Sequence, residues 1–544
     1  MASTVGTAEL IENLGLQINP TGIASAPTSQ TLKPRPSISG DDEDLSKRTD
    51  ASQPNDGQVS GGDIIMDLNS GLGVIPGFHI SPRIEPQSGE RHEDLISKGI
   101  ISLDKGTTYF STYKDRLDHF PYRILGDHDM VTVEQTRSSS PLLTAAVCAV
   151  GALHLASSDF DACCREFMAL SASRSFAPAS TIDDVKALCI GAFWLSDVSS
   201  VLVATAVRIA LELQLHKSFR RAVEGDRQHY LRARLYYLVY ACDHHFSVVY
   251  GRPPLTRNCE AIRDVRRFLD CKHTTEDDAR IASQVSRWSI CSEIFNAFGG
   301  DASRALCDEE TPQLRSFSIA LDSVRAEWAE RFAANEHVGN YPRKGVSLQY
   351  HFAKLYLFSH LFRGHRAERV DENTSDELHD MANSAVMSAL SILRTVVSDP
   401  EIQSFLNGLP AYFDTMIAFA AVFLLKISSI RPALVTMNLG DIGDLMRRLL
   451  AALVQVTASM HPRHLLVRVT SGIASLMQSC GMSNSGDTGD KAPDQSHVAH
   501  HSFEGAPDTP SKNWSQDWLM DDTFDAEFMG EYDFLFNPDV GNFI

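Results

Sequence analysis

The chain has 544 residues, enough for two or three domains or for one large domain with tails. Hydrophobic residues make up 43% and charged residues 22%, so a sizeable buried core is possible. The net charge is −20 and is concentrated at the ends: residues 1–95 hold 14 acids and 6 bases, and residues 481–544 hold 13 acids and 2 bases. This distribution excludes nucleic-acid binding by bulk positive charge, so we expect no direct specific binding of DNA.

Targeting segments and cysteines indicate the compartment. Residues 1–20 lack the basic and apolar regions of a secretory signal. The longest apolar run, 416–425, stops at Lys426 and is shorter than the roughly 20 residues of a spanning helix, so no membrane span is expected. The ten cysteines are scattered without any CxxC spacing. This pattern indicates free thiols in a reducing compartment and argues against disulfides or a zinc site.

Composition divides the chain into four parts. Residues 1–95 are rich in Ser, Gly, Pro and Asp, which predicts a disordered region. Residues 96–480 carry apolar residues at helical spacing and predict an all-α, multi-helix domain. We predict helices over roughly 105–120, 141–158, 181–196, 199–216, 228–250, 275–298, 313–333, 346–364, 375–398, 409–430, 441–460 and 462–480.

Two helix starts carry local signals. Ser140 precedes Pro141, which is the arrangement of an N-cap residue followed by a proline at the first helical position. Thr181 precedes Asp183 and Asp184, whose negative charges suit the positive end of a helix. Both signals predict helices that begin at these residues.

Residues 481–513 return to the composition of a linker. His497, His500 and His501 lie close together there. They suit either a loose metal site or a solvated linker, and the second interpretation is the simpler one.

Residues 514–544 hold eight acids and eight aromatic residues, without any Lys or Arg. This composition is typical of an acidic activation segment, in which the acids keep the aromatic rings soluble and available to a groove on a partner. The alternative is a helix docked on its own domain. The aromatic residues expected to make the contact are Trp514, Trp518, Phe524, Phe528, Tyr532, Phe534 and Phe536.

Two adjacent stretches resemble a known family. They are Ala206 to Lys217, AVRIALELQLHK, and Arg232 to Pro254, RARLYYLVYACDHHFSVVYGRPP. Together they are similar to the middle homology region of fungal zinc-cluster transcription factors, and the resemblance covers about residues 100–400. It implies an all-helical regulatory domain and a transcriptional regulator that acts in the nucleus.

The polar residues of these stretches are the candidate site residues. Gly251 is expected at positive φ as a helix stop, with Arg252 near the last carbonyls and Pro253 preventing further helix. Asp243 is expected to pair with Arg208, Arg234 or Arg252. The whole set comprises Arg208, His216, Arg232, Arg234, Asp243, Gly251, Arg252 and Pro253. We interpret them mainly as braces between helices, with lining of a ligand pocket as the alternative.

No enzyme signature is present in the sequence. GxSxG, P-loop and HExxH patterns do not occur, so we do not expect an enzyme. Asp243, His244 and His245 form a DHH triplet, but a helix would direct its two histidines about 100° apart, so structural roles are expected. Cys163 and Cys164 suit packing, with redox sensing as the alternative.

The chain departs from the family in one respect. The first cysteine is Cys148, within the helical region, so the family's six-cysteine zinc cluster is not found before it. Either the regulator acts through a DNA-binding partner, or this chain is a shortened form. Zinc is therefore expected only if such a cluster is missing from the chain.

The sequence thus predicts an activator or co-regulator that contacts the transcription machinery or a co-activator through its tail. The second hypothesis is a helical domain that senses a small molecule and controls transcription through a partner.

Overall fold

A computed structural model describes residues 93–480, with gaps at 127–130, 178, 300, 302–303, 305, 364–375 and 431–438. In this part of the chain the regular elements are helices, and an isolated β-bridge joins Asn335 to Gly339. The α-helices are α1 (Leu103–Thr112), α2 (Val133–Ser139), α3 (Pro141–His154), α4 (Phe160–Ser175), α5 (Ile182–Trp194), α6 (Ser199–Glu212), α7 (Phe219–Val223), α8 (Arg227–Ser247), α9 (Glu260–Arg263), α10 (Val265–Phe268), α11 (Glu276–Phe298), α12 (Thr311–Ala329), α13 (Tyr341–Ser359), α14 (Asp376–Ser398), α15 (Pro400–Phe405), α16 (Ala411–Ile430), α17 (Leu439–Thr457) and α18 (Leu465–Ser479). The predicted all-α fold class is confirmed.

All twelve predicted helices are present, but the sequence analysis missed α4 and the short helices α2, α7, α9, α10 and α15. The buried positions of α4 are Phe160, Cys163, Phe167 and Ser171, so half of its inner face consists of small residues. Such a face gives only a weak apolar periodicity in the sequence, so this helix was not predicted. The first predicted helix also changes character, because α1 continues into a π-helix over Tyr113–Leu117.

Both predicted helix starts are confirmed. The Ser140 side chain accepts a hydrogen bond from the Leu143 N–H at 3.1 Å, and Pro141 is the first residue of α3. At the start of α5, Thr181 and Asp184 exchange hydrogen bonds between side chain and backbone in both directions. These caps satisfy amide groups that have no partner within the helix.

Most helices pack on their neighbours in the sequence. Examples are α3 with α4 and α5, α5 with α6, and α13 with α12 and α14. Helix α8 packs on α6 and α11, and α16 packs on α14 and α18. The buried side chains form one continuous hydrophobic core, which runs through all of these helices.

Within the described residues, two helices are long and apolar enough to cross a membrane, although the length of the 416–425 run alone did not indicate this. They are Glu377–Ser398 and Ala411–Ser428. Of the second, 94% is buried inside the protein, compared with 56% of the first. The apolar surface of Ala411–Ser428 is therefore already covered by its neighbouring helices.

Helices α1 and α3 cross in close contact at Gly151. A Cβ atom at this position would overlap the backbone carbonyl group of Tyr109. The missing side chain therefore allows the two backbones to approach closely.

Candidate functional site

Helix α8 is followed by a glycine corner. The Gly251 N–H donates to the Val248 carbonyl at 3.2 Å, and the Arg252 N–H donates to the Ser247 carbonyl at 2.8 Å. Gly251 lies between them at φ +61°. These two hydrogen bonds around a left-handed glycine form a Schellman motif, so the predicted positive φ is confirmed.

Arg252 contacts the end of α8 through its backbone N–H. The sequence analysis had placed Arg252 near the last carbonyls of this helix without saying which of its groups would reach them. The guanidinium lies 5.6 Å from the centre of the Tyr250 ring. Arg252 and Pro253 are both exposed. This part of the motif therefore shapes the surface of the domain.

Asp243 does not pair with an arginine, and that prediction was wrong. Its carboxylate is fully buried and accepts hydrogen bonds from the Thr256 N–H at 2.7 Å, the Thr256 hydroxyl at 2.6 Å and the Ser247 hydroxyl at 3.0 Å. Neutral donors therefore take the place of the expected guanidinium. Asp243 fastens the chain that follows the glycine corner to the last turn of α8.

The arginines Arg208 and Arg232 brace neighbouring segments. Arg208 pairs with Glu212 at 2.5 Å and donates to the Ser175 carbonyl at 3.1 Å, which links α6 to the end of α4. Arg232 donates to the Leu213 carbonyl at the end of α6. Cations are favourable at this end of a helix.

His216 lies beyond the end of α6, although the prediction placed it in the last turn. The helix ends at Glu212, and Gln214 adopts the left-handed conformation. His216 then lies half-buried in a short 3₁₀-helix with its ring 6.0 Å from the Tyr236 ring. Burial and the nearby Lys217 lower the pKa of His216.

Arg234 connects α8 to a strained turn. It pairs with Asp278 at 2.8 Å and donates to the backbone carbonyls of Tyr122 and Arg123. Tyr122 and Arg123 have φ values of 58° and 55°, which are unfavourable for residues with a side chain. Backbone strain of this kind persists only where surrounding contacts enforce it, and it occurs often at functional sites.

The strained turn forms one wall of a small cleft against α11 and α13. Along α11, polar residues at spacings of three and four form a buried face: Asp277, Arg280, Gln284 and Arg287. The cavity volume of the cleft is about 20 Å³. Its lining residues are Tyr122, Arg280, Ser283, Gln284, Phe332, Tyr341, Pro342, Gly345, Val346 and Gln349.

Hydrogen bonds join α11 to α13 and α16 behind this cleft. Arg287 donates to Gln349 at 2.6 Å and to the Ser283 hydroxyl at 3.2 Å. The Gln349 amide donates to the Tyr412 hydroxyl at 2.5 Å. The polar face of α11 is thus part of a buried hydrogen-bond network.

Electrostatics distinguish the carboxylates of this region. Burial alone would raise the pKa of Asp277, but Arg280 and Arg123 outweigh it and hold that pKa below its usual range. Asp118 lacks such close partners, and burial raises its pKa to about 7. Asp277 is therefore ionised at neutral pH, whereas Asp118 is only partly so.

The sequence analysis predicted α11 but not this site. A helix with polar residues at such spacing is normally exposed on that face. What distinguishes this face is the arrangement of other segments around it. The strained turn and the polar side chains of α13 come from distant parts of the sequence, so the sequence alone could not show that they meet α11. Among the predicted residues, only Arg234 reaches this region.

The DHH triplet lies within the core. Burial lowers the pKa of His244 to about 4 and that of His245 to about 3. The His245 ring stacks on Tyr412 at 3.7 Å. Within the described residues no group of three His, Cys, Asp or Glu side chains is arranged to hold a metal ion.

The cysteine pair lies on α4. Burial raises the pKa of Cys163 to about 12 and that of Cys164 to about 11. Both thiols are therefore protonated at neutral pH and poorly nucleophilic. This favours packing over redox sensing.

Three predicted regions lie outside the described residues: the disordered N-terminal region up to residue 92, the linker with its histidines, and the tail 514–544.

The all-helical fold agrees with what the resemblance to fungal transcription factors implies, and similarity to a known protein supports that resemblance further. That protein is the transcriptional activator of proteases prtT from Emericella nidulans, which is 36% identical over 426 residues. The match covers 75% of this chain and 64% of the relative's own length. No family model matches the chain.

Proposed function

We propose that this chain is a fungal transcriptional regulator that acts as an activator in the nucleus and controls genes for proteases. The similarity to the transcriptional activator of proteases carries the proposal. Because only 156 residues of the chain lie outside 93–480, a match over 75% of it must include much of the helical domain. The helical domain is then the regulatory part of the protein.

The target genes can be tested in a fungus that secretes proteases. Deletion of the gene should lower secreted protease activity and the transcripts of several protease genes, and the full-length chain should restore both. Unchanged protease transcripts after deletion would contradict the proposed targets. A general loss of transcription of unrelated genes would also contradict them.

The tail supports the activator role through its composition. Residues 514–544, fused to an unrelated DNA-binding domain, should activate a reporter gene. Changing Trp518 and Phe528 together to Ala should abolish activation, since large anchors in a partner groove can each contribute about 2 kcal/mol or more. Asp522→Asn should only weaken it, because an exposed rim charge contributes roughly 0–1 kcal/mol.

The ranking of these variants distinguishes the mechanisms. A tail that needs its acids and tolerates loss of its aromatic residues would contradict groove binding. An inert fusion would contradict the activation segment itself and favour a tail docked on its own domain.

A further inference from the structure

Residues 217–272 are a basic stretch in an otherwise acidic chain. They hold 12 bases and 6 acids, whereas the remaining residues hold 37 bases and 63 acids. Several of these bases are exposed around the start of α8, and we call this surface the basic face. It is defined by Arg220, Arg221, Arg227, Arg263, Arg267 and Lys272.

Contacts between short helices bring these six residues together. Arg220 of α7 pairs with Glu260 of α9 at 3.0 Å, and α7 also packs on α8 and α10. The Arg221 Nη1 lies 3.2 Å from the His229 Nε2 on α8. Lys272 is close to the turn between α7 and α8, because a Cβ atom at Gly225 would lie 3.8 Å from its Nζ. The basic face is therefore one surface, although its residues come from several elements.

The neighbouring acids neutralise only part of this charge. Exposed ion pairs with Glu260 and Asp264 involve two of the six cations. Arg227 and Lys272 form no ion pair with any described carboxylate. The Asp226 carboxylate caps α8 and accepts hydrogen bonds from the first amide groups of that helix, the shorter at 2.8 Å. Positive charge therefore remains for an anion from outside this surface.

An apolar side chain lies beside these cations. Leu231 is 50% exposed and follows Arg227 by about one helical turn, so both residues lie on the same side of α8. A nucleic-acid backbone would contact the cations alone. A peptide that carries both carboxylates and large apolar side chains would also contact Leu231, so the surface favours such a peptide.

Residues 514–544 of the same chain have the complementary composition. They hold eight acids and eight aromatic residues, without any Lys or Arg. The predicted linker 481–513 extends up to about 110 Å at about 3.3 Å per residue, so it is long enough to bring the tail to the basic face. Two sites joined by such a linker meet at an effective concentration on the order of 1 mM.

We propose that the acidic tail 514–544 docks on the basic face of its own domain and is thereby kept from its transcriptional partner. The acids of the tail meet the cations, and its aromatic rings pack on Leu231. Docking and activation are then two alternative states of one segment. This regulatory consequence rests on the activator role proposed above, whereas the contact itself does not.

Carbodiimide crosslinking of the purified full-length chain tests the contact. The reagent joins a carboxylate directly to a lysine amine, so only groups in contact react, and Lys272 reports on the basic face. We expect crosslinks between Lys272 and residues 514–544 of the same chain. Raising the NaCl concentration from about 50 to about 500 mM should lower their yield at least fivefold, because salt screens exposed charges.

A pair of charge reversals locates the docking site. Arg221→Glu combined with Arg227→Glu should lower the yield of these crosslinks at least fivefold. Both residues are exposed, and a glutamate is favourable at the start of α8, so this variant should fold normally. The matched control, Arg165→Glu combined with Arg447→Glu, makes the same change of charge at exposed positions of α4 and α17 and should crosslink as the wild type does.

Several outcomes would overturn the docking. They are the absence of crosslinks between Lys272 and the tail, crosslinks that join two chains, crosslinks from Lys272 to the acids of 41–44 in place of the tail, and equal yields in the two variants. If circular dichroism shows that the basic-face variant does not fold, the salt dependence of the wild-type crosslinks decides.

A reporter assay tests the regulatory consequence. The full-length chain fused to an unrelated DNA-binding domain should activate at least threefold more strongly with the basic-face variant than without it, and the control variant should have no effect. An inert fusion of residues 514–544 alone would contradict the activator role. An active tail fusion, with equal activation by the full-length wild type and the basic-face variant, would instead overturn this inference.

Discussion

Replacing Asp243 by Ala should destabilise the helical domain strongly. The carboxylate is fully buried and accepts three hydrogen bonds, two from Thr256 and one from Ser247. Its removal leaves the Thr256 N–H and hydroxyl without their acceptor at a site where the Thr256 residue is only 4% exposed. The cost therefore includes both the lost hydrogen bonds and the donors left unsatisfied.

The expected magnitude follows from these contacts. A hydrogen bond to a charged group contributes about 1.5–3 kcal/mol, and a buried donor left without a partner costs about 1–3 kcal/mol. Some donors will find water once the loop relaxes, so we expect a total loss of about 3–5 kcal/mol. Thr256→Val removes only the hydroxyl contribution and should cost about 1.5–3 kcal/mol.

Urea unfolding followed by circular dichroism measures these differences. Asp264→Ala is the control, because its ion pair with Arg267 is exposed and should contribute less than about 1 kcal/mol. The double variant of Asp243 and Thr256 should cost less than the sum of the single changes, since the two residues share hydrogen bonds. A loss below about 1 kcal/mol for Asp243→Ala, or strict additivity, would refute the assigned role.

Three further outcomes are expected. Gly251→Val should cost about 2 kcal/mol in the same unfolding assay because Val is unfavourable at φ +61°; an unchanged midpoint would contradict this. Gly151→Ala should destabilise the domain because the added methyl group meets the Tyr109 carbonyl. Helix propensity alone predicts the opposite, a gain in stability of about 1 kcal/mol. A measured gain would show that α1 and α3 separate easily. Burial lowers the pKa of His154, His245 and His360 to about 3, so these residues stay neutral while the unfolded chain binds protons below about pH 6.5. Stability should therefore fall on acidification, by about 1.4 kcal/mol for each of them at pH 5.5, while Asp118 with its raised pKa acts in the opposite direction. His360→Asn should reduce the loss of stability between pH 7.5 and 5.5, and an equal loss in variant and wild type would count against the buried neutral ring.

The sequence was sufficient to predict the long helices because the signals that start, continue and end them lie within a few residues of one another. Ser140 and Thr181 cap their helices through residues three positions away, and Gly251 ends α8 through bonds spanning five residues. Apolar spacing located the long helices in the same way. It failed at α4, where small residues such as Ser171 replace the large apolar ones.

The partners of the charged residues were not predictable. Arg234 belongs to the family-like motif, yet it contacts the backbone at Tyr122, 112 positions earlier in the chain. Asp243 was expected to meet an arginine and meets Thr256, because only the fold determines which donors reach a buried carboxylate. The polar face of α11 likewise became interpretable only when α13 and the strained turn were seen against it.

The central position of α16 has a consequence for how the protein is made. This helix spans 411–430 and packs against α14 and α18, so the core cannot close until most of the chain has left the ribosome. Until then, helices such as α5 and α13 expose the apolar surface that later packs against α16, which makes the incomplete chain prone to aggregation. A frameshift or an early stop codon before α16 would therefore yield an aggregating fragment, and not a shorter working domain. A fusion boundary placed within 96–430 would cut through one continuous core.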